Sequence, residues 1–204
     1  MSGRKPAPRP RRKPSSSSAP SKGALRVVAG SAGGRRIDVP GGTSTRPTSD
    51  RVREAIFNAL DSMGAVEGRQ VFDGFAGSGA LGIEALSRGA AHALFADTDP
   101  QAIAVINENL RTLGLAGSAT VVTRDAQRAL AVAASLDLVL LDPPYTYDGW
   151  DGLLDALVPL LSPEAVVVIE SDRAVALPPS LAGIRSKAYG GTVVQFATAT
   201  GAPS

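Results

Sequence analysis

Asp142 closes an apolar run, LVLL, and is followed by Pro143, Pro144 and Tyr145. A carboxylate, a backbone stiffened by two rings and a flat aromatic face therefore come together where a strand would end. That set suits a planar amine. The Asp142 carboxylate and the Pro143 carbonyl can each accept one N–H, while Tyr145 stacks on the ring that bears the nitrogen. An aromatic exocyclic amine is a poor nucleophile, because its lone pair is delocalised into the ring. Two acceptors fixed in advance draw it toward a tetrahedral, more reactive geometry. The competing reading is a plain Asp-Pro-Pro turn, since prolines often follow strands. Pro144, Tyr147 and Trp150 continue the loop and are candidates for lining a base pocket. Trp150 serves equally well as an anchor for the helix that follows.

A second constellation lies upstream in FDGFAGSGALGIEAL, residues 72–86. It reads as a strand, a glycine-rich turn and a helix start. Gly77 and Gly79 let a ligand approach the backbone and the helix N-terminus. A glycine pair alone is a weak signal, and a dinucleotide pyrophosphate would be repelled by Asp73 at the strand end. A carboxylate there suits a cofactor with cationic or donor groups, such as the amino-acid part of S-adenosylmethionine. Asp97 ends the next strand, where an acid can take ribose hydroxyls. Asp99 reads as a helix cap ahead of Pro100. Asp125 follows the third strand; it can accept from an adenine amino group or cap the next helix. The Ala126 N–H is placed to meet adenine N1.

These groups need a rigid frame, and the pattern supplies one. Residues 25–29 and 35–39 read as a hairpin around GSAGG, followed by a helix over 50–63 capped by Thr48 or Ser49. From residue 69, short continuously apolar strands alternate with helices. Strands are expected at 70–74, 92–97, 120–123, 136–142 and 165–171, with helices at 80–89, 100–114, 126–134 and 150–160. Residues 184–198 form a last strand pair around Gly190-Gly191, expected to add an antiparallel edge. Such alternation predicts an α/β fold, Rossmann-like, with a mostly parallel sheet covered on both faces.

Composition narrows the chemistry. The 204-residue chain has no cysteine and one histidine, so thiolate and histidine-rich metal sites are excluded and no metal is expected. No apolar stretch reaches the roughly 18 residues of a membrane span, and the N-terminus lacks the apolar segment of a secretion signal. A cytoplasmic monomer is the expectation. The net charge of +2 hides an asymmetry. Residues 1–22 carry seven basic side chains and no acid, with five prolines and four consecutive serines; residues 61–204 carry eight basic and sixteen acidic side chains. The tail is expected to be disordered, and a polyanion is expected to meet the N-terminal end. A solubilising or targeting segment is the alternative for the tail.

Four segments together carry a family resemblance: LRVVAGSAGGRRIDVP, TRPTSDRVREAIFNAL, VFDGFAGSGALGIEALSRGA and LLDPPY. Over residues 25–198 the chain resembles the bacterial 16S rRNA (guanine(966)-N2)-methyltransferases, the RsmD-like class I S-adenosylmethionine-dependent enzymes. TRPTSDRVREAIF is the most discriminating segment, since DPPY is shared with adenine methyltransferases. The resemblance implies a seven-stranded sheet with an antiparallel C-terminal strand, and N2-methylation of a guanine in 16S ribosomal RNA, in an assembled or partly assembled small subunit. It implies cofactor contacts at Asp73, Gly77, Gly79, Asp97 and Asp125, and catalytic roles for Asp142, Pro143 and Tyr145. It divides the chain into a tail (1–22), an RNA-facing hairpin and helix (23–62) and a methyltransferase core (63–204). Arg26, Arg35, Arg36, Arg46, Arg51 and Arg53 would form an RNA-facing region beside the pocket, with Arg46 the leading substrate contact. Alternatively Arg46, Asp50 and Arg53 form a network ordering the N-terminal segment. Two positions depart from the family: Gly74, usually a larger apolar residue, and Asp97, often Glu. The runner-up function is DNA adenine-N6 methylation, which normally needs a target-recognition insertion that this chain lacks. A nicotinamide-dependent oxidoreductase and a noncatalytic RNA-binding protein are more distant competitors.

Overall fold

The computed structural model describes residues 25–41 and 49–200. Seven strands form one sheet in the order β5-β4-β3-β6-β7-β9-β8. They are β3 (Gln70–Asp73), β4 (His92–Asp97), β5 (Ala119–Thr123), β6 (Leu136–Leu141), β7 (Leu161–Ser171), β8 (Leu181–Tyr189) and β9 (Thr192–Ala199). The first five are mutually parallel, and β9 runs antiparallel to both β7 and β8. The antiparallel strand is thus β9, one place in from the edge, and the edge strand β8 runs with the rest. Among the described residues no helix is long and apolar enough to cross a membrane.

Alternate strand residues feed two apolar clusters, one on each face, as the period of a strand requires. Val71, Phe95, Leu138, Leu140 and Val168 pack against the hairpin β1 (Leu25–Arg26) and β2 (Arg36–Ile37), and against α1 (Ser49–Ser62), α2 (Ala80–Ser87) and α3 (Pro100–Leu113). Phe72, Leu94, Val139, Leu141 and Ile169 pack against α4 (Ala126–Ala129) and α5 (Trp150–Leu157). The N-terminal hairpin and α1 therefore share a core with the sheet.

Some expected elements are shorter. The hairpin strands pair over only two residues each; Val27 still bonds across to Arg35 and Gly34, but beyond it the Val28 and Ala29 N–H groups donate to the Glu84 carboxylate at 2.7 and 3.0 Å. The helix expected over 126–134 ends at Ala129 and tightens into a 3-10 turn. Val132 is exposed there, so no apolar face holds a longer helix.

Candidate active site

Asp73 ends β3 and Asp142 directly follows the neighbouring strand β6, at the edge where the parallel strands end. They line one cleft of ≈ 250 Å³ together with Arg53, Phe75, Gly77 and Glu170. Ligands of open α/β sheets bind at such an edge. The sheet directs several acids to the same face: Asp73, Asp97 and Glu170 each stand two residues after a member of the first cluster, Val71, Phe95 and Val168.

The glycine turn is held from both sides. Asp97 Oδ2 accepts from the Gly77 N–H at 2.8 Å, and Oδ1 from the Asp99 N–H at 2.9 Å. Gly77 and Gly79 take φ of 54° and 79°, a region that L side chains rarely adopt, and Gly79 forms the N-cap of α2. A Cβ on Gly77 would meet nothing within 4 Å, so the turn presents bare backbone to the cleft. At Gly74 the reason for glycine is different: a Cβ there would lie 2.8 Å from Leu141 Cδ2 and 3.0 Å from the Phe72 ring. Those two side chains fill the space that a larger residue would take.

Asp73 is 1% exposed. Its Oδ2 accepts from the Gly82 N–H at 2.8 Å. Burial raises its pKa to about 7; the Gly82 hydrogen bond opposes the shift and the charges of Asp142 and Asp97 add to it. Such a carboxylate favours a cation in the cleft. The donor set therefore fits a zwitterionic, adenosine-bearing cofactor: an acid for an ammonium, backbone for close approach, and acids farther along the edge for hydroxyl or amino donors.

Asp125 caps α4, accepting from the Arg128 N–H at 2.8 Å, and Ala126 is buried as the first residue of that helix. Asp99 caps α3 through the Gln101 N–H, as expected. Pro143 is buried and Pro144 exposed; the Pro144 carbonyl accepts from the Tyr147 N–H at 2.8 Å, closing a tight turn. The Tyr145 hydroxyl lies 2.8 Å from Thr192 Oγ1 on β9, which fixes the ring over the strand ends.

Tyr147 packs edge-on between Phe75 and Trp150, with centroid distances of 5.0 and 5.2 Å, and its hydroxyl donates to the Gly149 carbonyl. Partial burial, and then the charges of Asp125 and Asp148, raise the Tyr147 pKa. Of the two readings of Trp150 the structure favours the anchor over the pocket lining: it is buried with Leu153 and Leu154 in the second cluster, where it starts α5. Tyr147 stands between it and Phe75, a residue of the cleft that the sequence reading missed.

Among the described residues, the arginines do not form one face beside the pocket. Arg53 is 3% exposed; it donates to the Arg26 carbonyl and to Asp50, and lies 3.9 Å from Glu84. It braces the N-terminal segment, as the alternative reading held, and also lines the cleft wall. Arg35 donates to the Thr112 and Leu113 carbonyls at the C-terminal end of α3. That helix returns from β4 toward the start of β5, so Arg35 is held at the opposite edge of the sheet. Arg26 donates to the Gly34 carbonyl and Arg36 pairs with Asp38; both side chains, like Arg51, are exposed. Arg46 lies outside the described residues.

Residues 25–198 match the family model described as "Conserved hypothetical protein 95". The chain is similar to "Putative rRNA methyltransferase YlbH" of Bacillus subtilis, 42% identical over 83% of this chain and 96% of that protein. It is similar to "Ribosomal RNA small subunit methyltransferase D" of Escherichia coli, 39% identical over 76% of this chain and 79% of that protein. A solved structure, "Putative methyltransferase yhhF from Escherichia coli", superposes with a TM-score of 0.77 at 36% identity, covering 87% of this chain and 98% of that one. By sequence and by fold, this chain belongs to the Conserved hypothetical protein 95 family, the family of the small-subunit ribosomal RNA methyltransferases D.

Proposed function

We propose that the protein transfers a methyl group from S-adenosylmethionine to the exocyclic N2 of a guanine in 16S ribosomal RNA, acting as a cytoplasmic monomer on the assembled or partly assembled small subunit. One observation carries this reading: a buried acid with no counter-charge among the described residues, Asp73, shares a cleft with an exposed acid, Asp142, at the end of the adjacent strand. The first suits the cofactor's ammonium and the second the amine to be methylated.

When bound, S-adenosylmethionine supplies an electrophilic methyl group on a sulfonium. The chain's own residues bind, orient and hold protons. Asp73 takes the ammonium, the Gly77 backbone the close approach, Asp97 the ribose hydroxyls, and Asp125 with the Ala126 N–H the adenine edge. Asp142 and the Pro143 carbonyl each accept one N–H of the target amine. Tyr145, braced by Thr192, stacks on the base. Positioning of nitrogen and methyl carbon does most of the work. The amine proton leaves after nitrogen has been alkylated, so no strong base is required. Arg26, Arg36 and Arg51 are exposed and suited to backbone phosphates, with the tail and Arg46 as further contacts.

Replacing Asp142 by Ala is expected to lower methyl transfer to small subunits by about 10²-fold or more while cofactor affinity stays within a few-fold. Normal turnover in that variant sinks the assignment. Deleting residues 1–22 is expected to weaken RNA binding at low salt far more than at high salt; binding unchanged across a salt titration shows the tail uninvolved. DNA adenine-N6 methylation is not favoured, because the two named relatives above carry ribosomal RNA in their names.

A further inference from the structure

Glu170 stands at the end of β7, on the side of Asp142 away from Asp73. The β6–β7 register pairs Leu140 with Val168 and Leu141 with Ile169, so the next step sets Asp142 beside Glu170. Adjacent strands lie about 4.8 Å apart. Both side chains line the same cleft. Across the sheet the acids therefore run Asp97, Asp73, Asp142, Glu170, in the strand order β4-β3-β6-β7. The first two serve the cofactor in the reading above and the third the amine. The fourth lies beyond the amine, where the rest of the acceptor must be.

The same wall contains Arg53. Its Nε is buried without a hydrogen-bond partner among the described residues. It lies 3.9 Å from Glu84 Oε2, so the guanidinium is a fixed positive charge in the wall beside these carboxylates.

We propose that Glu170 reads the base, its carboxylate accepting the N1–H of the target guanine while Asp142 and Pro143 hold the N2 hydrogens. The proposal rests on the guanine-N2 reading. Guanine presents N1–H and the N2 amine as neighbouring donors, and a carboxylate beside Asp142 completes the set of acceptors for them. Adenine presents a bare N1 lone pair next to its amine, which the same carboxylate repels. Glu170 is thereby a specificity residue that separates guanine from other bases bearing an exocyclic amine.

2-Aminopurine separates the two parts of the argument, because it keeps the 2-amine but carries a lone pair at N1. Small subunits reconstituted with 16S RNA bearing guanine or 2-aminopurine at the methylated position supply the substrates. Single-turnover methyl transfer is measured for the wild type, Glu170→Gln and Glu170→Asp, together with S-adenosylmethionine affinity. The wild type is expected to prefer guanine by about tenfold or more. In Glu170→Gln, whose amide donates to a bare N1, the ratio is expected to move at least about tenfold toward 2-aminopurine, with cofactor affinity within a few-fold. Glu170→Asp retains the carboxylate and is expected to keep the preference for guanine at a lower rate. Equal wild-type rates on the two bases overturn the proposal without any variant, and so does a ratio that Glu170→Gln leaves unchanged. Wild-type enzyme that leaves guanine N2 unmethylated overturns the functional reading itself, and that failure is visible before a variant is made.

Discussion

Asp73 and Glu84 are both buried carboxylates, one at the end of β3 and the other on α2, 1% and 0% exposed. Their surroundings are opposite. Glu84 accepts from the backbone N–H groups of Val28 and Ala29 and from Arg88 Nε at 2.7 Å, and lies 3.9 Å from Arg53 Nε. Asp73 accepts from the Gly82 N–H, faces the charges of two further acids, and has its pKa raised to about 7. A buried carboxylate surrounded by donors is a clamp, and here it fastens the hairpin to α2. One buried at a cleft with little to offset its charge costs stability, and its natural partner is a ligand. The comparison separates structure from function among acids that look alike in sequence.

The largest expected effect is on the clamp. Replacing Glu84 by Ala leaves Arg88 and Arg53 without their buried counter-charge and frees two backbone N–H groups. A loss of about 3–5 kcal/mol is expected, read by urea unfolding. A loss below about 1 kcal/mol breaks the contrast.

Asp73→Asn is expected to do the reverse. Cofactor affinity falls by about 100-fold, as for a lost charge-assisted contact, while the melting temperature at neutral pH holds or rises by a few degrees. The sign follows from linkage. The folded-state pKa of Asp73 is raised, so its contribution to stability is present below the unfolded value of 3.8 and is lost as pH rises through about 7. Asparagine removes that loss. Calorimetric titration and thermal unfolding of the same variant check both halves.

A smaller effect is expected in the unmodified protein. Below pH 7 cofactor binding must displace a proton from Asp73, so affinity is expected to weaken by up to about tenfold for each pH unit, between about pH 7 and 5.5. In Asp73→Asn that dependence disappears. A dependence equal in both proteins assigns the proton to another group.

Most of the frame was legible because the central parallel strands are continuously apolar and α3 is marked at both ends, by Asp99 with Pro100 and by Gly114. Asp73 and Asp142 were legible for the same reason: each breaks an apolar run at a strand end. Glu170 ends AVVVI in the same way and went unread, although its position, two residues after Val168, carried the signal. The roles of Arg35 and Arg53 were not legible. Charge in a basic segment says nothing about which face an arginine takes, and these two are held by partners 77 and 27 residues distant in sequence. Trp150 was open between two roles until α5 showed which cluster it enters.

The most direct test supplies labelled S-adenosylmethionine with small subunits lacking this methylation, and with DNA in parallel, then digests the product to nucleosides. N2-methylguanosine from the 16S RNA is the predicted label. Label recovered as N6-methyladenine, or in DNA rather than in the small subunit, contradicts the account.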